Sequence, residues 1–131
     1  MGFILVVEHF GGTVECKTIG ELEKILEIRY GTGVNEYWIY GKEKNPCLAV
    51  LVNNKYATLT YFPEEEHPGY QSVGKDTDLD FDEYTIFYVN TPTEEMEVHN
   101  FSVISFSKAL EATKEFFLSL SIPNCLEWDE L

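Results

Sequence analysis

Hydrophobic and polar residues alternate in short runs along most of the chain, and two segments change to a helical period. The first is "TIGELEKILEIRYG", in which apolar residues return every three or four positions. Thr18 with Glu21 three residues later has the pattern of a capping box, and Gly31 occupies the position of a C-cap glycine. The pattern predicts a helix over residues 18 to 31.

The second helical segment follows a serine-rich start and runs through "KALEATKEFFLSL". Ser105 or Ser107 supplies an N-cap, and Pro123 is expected to end the helix. One broad stripe of this helix is apolar and is predicted to face the core. Its members are Ala109, Ala112, Phe116, Phe117 and Leu120.

Six segments have the composition of strands: "FILVVEHF", "EYWIYG", "CLAVLV", "KYATLTYF", "YTIFYV" and "MEVHNFSVI". Asn53-Asn54 is predicted to form a two-residue hairpin turn, which would pair Val52 with Lys55. One face of that hairpin is apolar and is predicted to lie in the core. This face comprises Leu48, Val50, Ala57, Leu59 and Tyr61. The opposite face is mixed, and we expect it to be half exposed or covered by something smaller.

The order of these elements predicts an α+β fold, with a mainly antiparallel sheet and two helices packed on one face. A length of 131 residues with 44% hydrophobic content matches a single domain over residues 1–131. Cys16, Cys47 and Cys125 lie far apart without a CxxC pair, which favours reduced thiols in a cytoplasmic protein. No apolar run approaches the length of a membrane span.

Charge is the strongest compositional signal, since the formal net charge is -14. The segment from Glu64 to Glu97 holds eleven acidic side chains and one basic side chain, Lys75, whereas the remainder holds twelve acids and eight bases. Such a surface repels nucleic acid and anionic membranes and attracts basic proteins. The composition therefore predicts no direct nucleic-acid binding and no membrane association.

The centre of this segment, "KDTDLDFDEY", places aspartates at alternate positions. On an extended chain, Asp76, Asp78, Asp80 and Asp82 would form a row of like charges on one side. A calcium loop starting at Asp76 would need Gly at its sixth position and Glu at its twelfth, and both positions hold Phe. A partner-facing acidic surface and an ordinary solvated loop remain open.

No catalytic pattern is present. His9, His67 and His99 are scattered, His99 is expected to be a packed core histidine, and no nucleophile or phosphate-binding signature occurs. The sequence therefore predicts no catalytic residue, no metal and no cofactor. Trp38 and Trp128 are interpreted as structural. Tyr70 lies in the long polar segment "PEEEHPGYQSVGKDTDLDFDE" without apolar neighbours, and is the candidate interface anchor.

Several motifs resemble the immunity proteins of bacterial polymorphic toxin systems, in particular immunity family one. They are "LAVLVNNKYATLTYFP", "PGYQSVG", "ISFSKALEATKEFF" and "IPNCLEW", in this order from about Gly31 to Leu131. The loop from Gly69 to Gly74, and the helix with Phe116-Phe117 followed by Pro123 and Trp128, are the most specific. A departure is "SLSIP", where relatives often carry a glycine.

The resemblance implies a non-enzymatic inhibitor whose partner is a cognate toxin domain, most often a nucleic-acid deaminase. It supplies no catalytic residues, and it implies that Phe116, Phe117 and Trp128 are structural. We expect a one-to-one complex of a monomer, in which an acidic surface covers the basic substrate site of the toxin. The candidate partner-binding residues are Glu64, Glu65, Glu66, Tyr70, Asp76, Asp78, Asp80, Asp82 and Glu83. The alternative is an acidic adaptor or secretion chaperone for a basic effector protein.

Overall fold

A computed structural model of the chain describes residues 3–131, over which it forms ten strands and two α-helices. The first half contains β1 (Leu5–His9), β2 (Gly12–Cys16), α1 (Ile19–Leu26), β3 (Val34–Tyr40), β4 (Cys47–Asn53) and β5 (Tyr56–Phe62). The second half contains β6 (Tyr70–Val73), β7 (Tyr84–Tyr88), β8 (Glu95–His99), β9 (Ile104–Ser105), α2 (Phe106–Ser119) and β10 (Glu127–Glu130). A 3-10 turn over Asn100–Ser102 links β8 to β9.

The strands form one large antiparallel sheet in the order β10-β6-β5-β4-β3-β1-β2, with β9 also paired to β5. β7 and β8 form a separate two-stranded antiparallel sheet. Both helices contribute to one hydrophobic core on a single face of the large sheet. The predicted α+β class, with two helices on one face of a mainly antiparallel sheet, is confirmed.

The helix-covered face contains the main core. Leu22 and Leu26 of α1 and Phe116 and Phe117 of α2 are buried there. The sheet contributes the alternate residues of β4 and β5 that the sequence places on the core face, which are Leu48, Val50, Ala57, Leu59 and Tyr61. The structural roles of Phe116, Phe117 and Trp128 are confirmed, since Trp128 packs against this core and its indole N–H donates to the Pro123 carbonyl at 2.8 Å.

Helix α1 begins as predicted and ends earlier. The Thr18 hydroxyl accepts the Glu21 amide at 3.1 Å, but the helix stops at Leu26, so the C-cap at Gly31 is wrong. A side chain from outside the helix forms hydrogen bonds with backbone carbonyls near its end. The Tyr37 hydroxyl contacts the Ile25 carbonyl oxygen at 2.9 Å and that of Ile28 at 2.8 Å. The buried Tyr37 hydroxyl therefore satisfies carbonyls that a glycine C-cap would otherwise satisfy.

Helix α2 begins after Ser105, whose hydroxyl accepts the Lys108 amide at 3.3 Å, and the predicted N-cap is confirmed. The helix ends at Ser119, well before Pro123, because Leu120 adopts the left-handed conformation with φ 49°. That is the conformation which a C-cap glycine usually fills. The Leu120 side chain packs against the main core, which offsets the cost of a leucine here.

The β4–β5 hairpin has a register two residues away from the predicted one. Val52 pairs with Ala57, and Asn54 rather than Asn53 has a positive φ, at 53°. The Asn54 amide donates to the Gly33 carbonyl at 2.8 Å, which fixes the turn by a contact outside the hairpin. Because the shift is an even number of residues, the core face is unchanged.

Strands β2, β6 and β10 are absent from the sequence prediction. β6 and β10 pair with each other at one end of the large sheet, and β6 lies inside the segment expected to be a polar loop. The end of β6 passes close to the 3-10 turn, since a Cβ on Gly74 would lie 1.8 Å from the Val103 carbonyl oxygen. These strands are short and polar, so their formation depends on pairing with a neighbour rather than on an apolar pattern.

The second face of the large sheet is partly covered by the β7–β8 hairpin. Phe87 and Val98 pack there against Leu51 and Val103 in a smaller, separate core. This confirms the expectation that something smaller covers this face. No helix within residues 3–131 is long and apolar enough to cross a membrane.

Candidate protein interface

The acidic segment is not an extended row, because residues 75 to 83 form bends and a turn. Asp76 is tied to the start of α2, where its carboxylate accepts the Ser105 hydroxyl at 2.7 Å and the Ser105 amide at 3.3 Å. This contact orients the residue that caps the helix. The Asp76 carboxylate therefore has a structural role in addition to its charge.

Asp78 is also tied to the fold. Its carboxylate accepts the Tyr56 hydroxyl at 2.5 Å and lies 3.6 Å from the Lys55 ammonium. The hydrogen bond from Tyr56, followed by other hydrogen bonding and the charge of Lys55, lowers the pKa of Asp78. The same hydrogen bond raises the pKa of Tyr56. The carboxylate thus links the β4–β5 turn to the acidic segment.

The acids from Asp80 to Glu83 belong to a turn that the buried residue Asn100 holds in place. Asn100, which is 4% exposed, donates from its side chain to the Asp80 carbonyl at 2.7 Å and from its backbone to the Glu83 carbonyl at 3.0 Å. The Asp80 carboxylate accepts the Asp82 amide at 3.0 Å within the turn. Phe81, Asp82 and Glu83 are left exposed.

These residues continue onto the outer side of the β7–β8 hairpin, where β7 contributes two tyrosines and β8 contributes two glutamates. Residues that pair across an antiparallel ladder share a face, so Tyr84 lies with His99 and Tyr88 lies with Glu95. We call this surface the hairpin face. It comprises Phe81, Asp82, Glu83, Tyr84, Tyr88, Glu95, Glu97, His99 and Phe101.

The hairpin face combines exposed rings with uncompensated negative charge. Tyr84 is 59% exposed and Phe81 is 51% exposed. The Phe81 and Phe101 rings lie 5.6 Å apart, and the Tyr84 and His99 rings lie 5.2 Å apart and perpendicular. His99 is exposed, so its expected burial in the core is wrong. Its ring nitrogen instead accepts the Phe101 amide at 3.1 Å.

No lysine or arginine occurs between Lys75 and Lys108 in the sequence. Within residues 3–131, the ion pairs involve none of the hairpin-face carboxylates, which belong to Asp82, Glu83, Glu95 and Glu97. Exposed aromatic rings beside unpaired charges of one sign are typical of a protein-binding surface. The arrangement suits binding of a basic partner.

The other predicted contact residues lie near β6. Glu64, Glu65 and Glu66 are exposed in the connection that follows β5. The prediction that Tyr70 lies in a polar loop without apolar neighbours is wrong, because Tyr70 begins β6 and is half-buried against the main core. Its ring stacks on His67 with 5.0 Å between centroids, and the charge of Glu130 raises its pKa.

The structure also contains a surface that the sequence did not indicate. It lies on the second face of the large sheet, around the exposed Trp38. Trp38, which is 39% exposed, stacks on Phe62 with 5.8 Å between ring centroids and 19° between planes. Both rings line an open cleft of about 450 Å³, which we call the aromatic cleft. Its walls include Glu8, Trp38, Tyr40, Lys44, Phe62 and Glu65.

Polar side chains in the aromatic cleft are ordered by one another. The Tyr40 hydroxyl donates to the Glu8 carboxylate, and this hydrogen bond is the main reason that the pKa of Tyr40 rises to about 12. The Lys44 ammonium lies 3.7 Å from the same carboxylate and 5.3 Å from the centre of the Tyr40 ring. The alternation of β3 signals that Trp38 and Tyr40 point away from the helices, but not that their surroundings stay open.

Over residues 3–131 no group of three or more His, Cys, Asp or Glu side chains is placed to hold a metal ion. Acidic carboxylates and exposed rings can instead bind cationic groups of another molecule.

Among known proteins, the chain is similar to the double-stranded DNA deaminase immunity protein of Burkholderia cenocepacia (strain H111). The two are 25% identical over 128 residues, which cover 97% of this chain and 100% of that protein. No family model matches the chain. The relative confirms the resemblance to immunity proteins of deaminase toxins. It is named for immunity and not for an enzymatic activity, which supports a non-enzymatic role.

Proposed function

We propose that this chain is an immunity protein that binds and neutralises a cognate deaminase toxin domain. The observation that carries the proposal is the full-length similarity to a double-stranded DNA deaminase immunity protein. That relative is named for immunity rather than for a reaction, so we take protection to come from binding alone. A toxin domain delivered into other cells or secreted would be held inactive in the cell that makes it.

The hairpin face is the surface that we propose meets the toxin. An enzyme that acts on DNA presents a positively charged surface to the phosphates. A carboxylate-rich protein can bind to that surface through the same electrostatic attraction. The hairpin face offers acids that are not already paired within residues 3–131, next to rings that can lose water on contact. We propose that the bound hairpin face covers the basic substrate site of the toxin.

The nine predicted contact residues then divide into three groups. Asp82 and Glu83 belong to the hairpin face and contact the toxin directly. Asp76, Asp78 and Asp80 add to the negative field, while their carboxylates hold Ser105, Tyr56 and the turn in place. Glu64, Glu65, Glu66 and Tyr70 belong to the neighbourhood of the β5–β6 connection and form a second contact area.

The complex is expected to be one-to-one and tight. Complementary charge accelerates association, whereas buried rings such as Tyr84 and Phe81 slow dissociation. Because a single escaped toxin molecule damages the genome, we expect a dissociation constant in the nanomolar range or below, equivalent to about 12 kcal/mol or more.

The test needs a deaminase toxin domain, sought first in the reading frame that neighbours the gene for this chain. Deamination of double-stranded DNA is measured while the protein is added at increasing molar ratios. The proposal predicts that activity falls to zero near one equivalent, and that co-expression rescues cells from the toxin. Undiminished deamination at tenfold excess, with both proteins folded, would reject the proposal.

A further inference from the structure

The aromatic cleft already binds a positive charge from within the chain. The Lys44 ammonium is placed between the Glu8 carboxylate, at 3.7 Å, and the Tyr40 ring, at 5.3 Å. Lys44 is 80% exposed and lies in the connection between β3 and β4, so its hold on this position is weak. The cleft therefore favours cationic groups, and a cation from a partner can still enter it.

The other wall of the cleft is also aromatic and acidic, and among residues 3–131 no lysine or arginine lies over the Trp38 ring. Trp38 uses one face of its indole to stack on Phe62, and the residue is still 39% exposed, so indole surface remains for a flat cation. Glu65 lines the same cleft and is exposed. Among residues 3–131, Glu65 makes no ion pair. Two carboxylates therefore flank an aromatic wall and leave an uncompensated negative charge.

We propose that the aromatic cleft receives an arginine side chain of the toxin domain, which stacks on Trp38 between Glu8 and Glu65. This inference rests on the proposed function, because it takes the toxin to be the partner. It adds, outside the hairpin face, a contact that is specific for one side chain of the toxin. The occupant is a guanidinium group rather than an ammonium group for two reasons.

First, a guanidinium group is planar and weakly hydrated, so it can lie flat on an indole while its N–H groups donate sideways to carboxylates. Second, the chain's own ammonium takes the Tyr40 end of the cleft and not the indole. The Glu8 carboxylate is held by the Tyr40 hydroxyl, so it is oriented before a partner arrives. Lys44 acts as a placeholder that the arginine displaces.

The test measures association and dissociation rates of the toxin domain with single variants of the full chain. Trp38→Ala is expected to raise the dissociation rate about tenfold or more, and Trp38→Phe to restore most of the loss. Glu65→Gln removes the charge at an exposed position and is expected to raise the dissociation rate about threefold. Thermal unfolding of each variant verifies that it is folded.

Lys44→Gln separates a placeholder from a structural lysine. Removing the placeholder is expected to tighten the complex by up to about fivefold, since an exposed ion pair contributes at most about that much. Lys42→Gln is the matched control, because Lys42 is exposed in the same connection and the change in net charge is identical. Tightening that is equal in the two variants would overturn the placeholder role.

A small probe tests the guanidinium preference itself. Acetyl-Gly-Arg-Gly-amide is titrated into the Lys44→Gln protein, and the indole N–H signal of Trp38 is followed by NMR, with the citrulline peptide as the uncharged control. A shift with the arginine peptide alone supports the inference. If neither peptide moves the signal, or if folded Trp38→Ala binds the toxin as the unchanged protein does, the inference fails while the proposed function stands. If the unchanged protein binds no toxin, the proposed function itself fails.

Discussion

The two faces of the large sheet differ in what their side chains contact. The helix-covered face is closed by a buried and mainly apolar core that includes Phe116 and Leu26. The opposite face is covered only in part, by a hairpin that holds a core of four buried residues. Beside the hairpin the aromatic cleft stays open, and the outer side of the hairpin carries the rings and acids of the hairpin face.

This difference indicates that stability and recognition are separated. Burial of apolar area on the helix face supplies most of the driving force for folding. The second face can therefore carry charge and exposed rings without loss of the fold. The same separation divides the acidic segment, where Asp76 and Asp78 serve the fold and Asp82 and Glu83 face outward.

The largest expected effect comes from the core of the helix face. Phe116 is fully buried, so Phe116→Ala is expected to lower the free energy of unfolding by about 3–5 kcal/mol through lost burial and a cavity. Chemical denaturation measures the loss. The fraction that remains folded should bind the toxin at an unchanged association rate, and a slower rate for folded molecules would contradict the separation of the two faces.

A smaller effect, on kinetics alone, is expected from the hairpin face. The triple variant Asp82→Asn, Glu83→Gln and Glu97→Gln should slow toxin association about tenfold at low salt, because it weakens electrostatic steering. The free energy of unfolding should stay the same or rise slightly, since like charges are removed. Stopped-flow mixing measures the association rate.

The matched control neutralises three exposed acids elsewhere, with Glu15→Gln, Glu27→Gln and Glu111→Gln. Its net charge equals that of the hairpin-face variant. If the control slows association as much as the hairpin-face variant does, steering arises from total charge and the hairpin face has no special role.

The two halves of the acidic segment can be separated by a pair of single changes. Asp76→Asn weakens the acceptor of Ser105 and should lower the free energy of unfolding by about 1 kcal/mol, the usual scale of a helix cap. Asp82→Asn should leave stability unchanged and slow association instead. Denaturation and stopped-flow measurements on both variants should give opposite patterns, and similar patterns would show that the segment acts as a unit.

The smallest effect concerns the hydroxyl of Tyr56. Its pKa is raised chiefly by donation to Asp78, because ionisation would break that hydrogen bond beside a carboxylate. Asp78→Asn should therefore move the pKa of Tyr56 down towards its ordinary value, which ultraviolet difference titration can follow against the unchanged protein. An unaltered titration curve would show that Asp78 does not hold the hydroxyl.

Local sequence patterns were sufficient for the elements that depend on periodicity and capping. The apolar face of β4 and β5, the Thr18 and Ser105 caps and the sheet class all follow from neighbouring residues. The C-terminal end of α1 and the register of β4–β5 did not, because Tyr37 and Gly33 decide them from elsewhere in the fold.

The division of the acidic segment was also beyond the sequence. Asp76 contacts a residue 29 positions away and Asp78 one 22 positions away, so equal spacing of like residues gave no sign of their different partners. The openness of the cleft at Trp38 depends on how much of the sheet the hairpin covers. Such features need tertiary distances, and local alternation cannot supply them.

The most direct test of the central claim is the dependence of toxin association rate on ionic strength, measured for the unchanged protein and for the hairpin-face triple variant. If the hairpin face steers the toxin, the rate for the unchanged protein falls steeply from about 0.01 M to 0.15 M salt, and the variant shows a much flatter dependence. Equal slopes for the two proteins would contradict the claim and place the contact surface elsewhere.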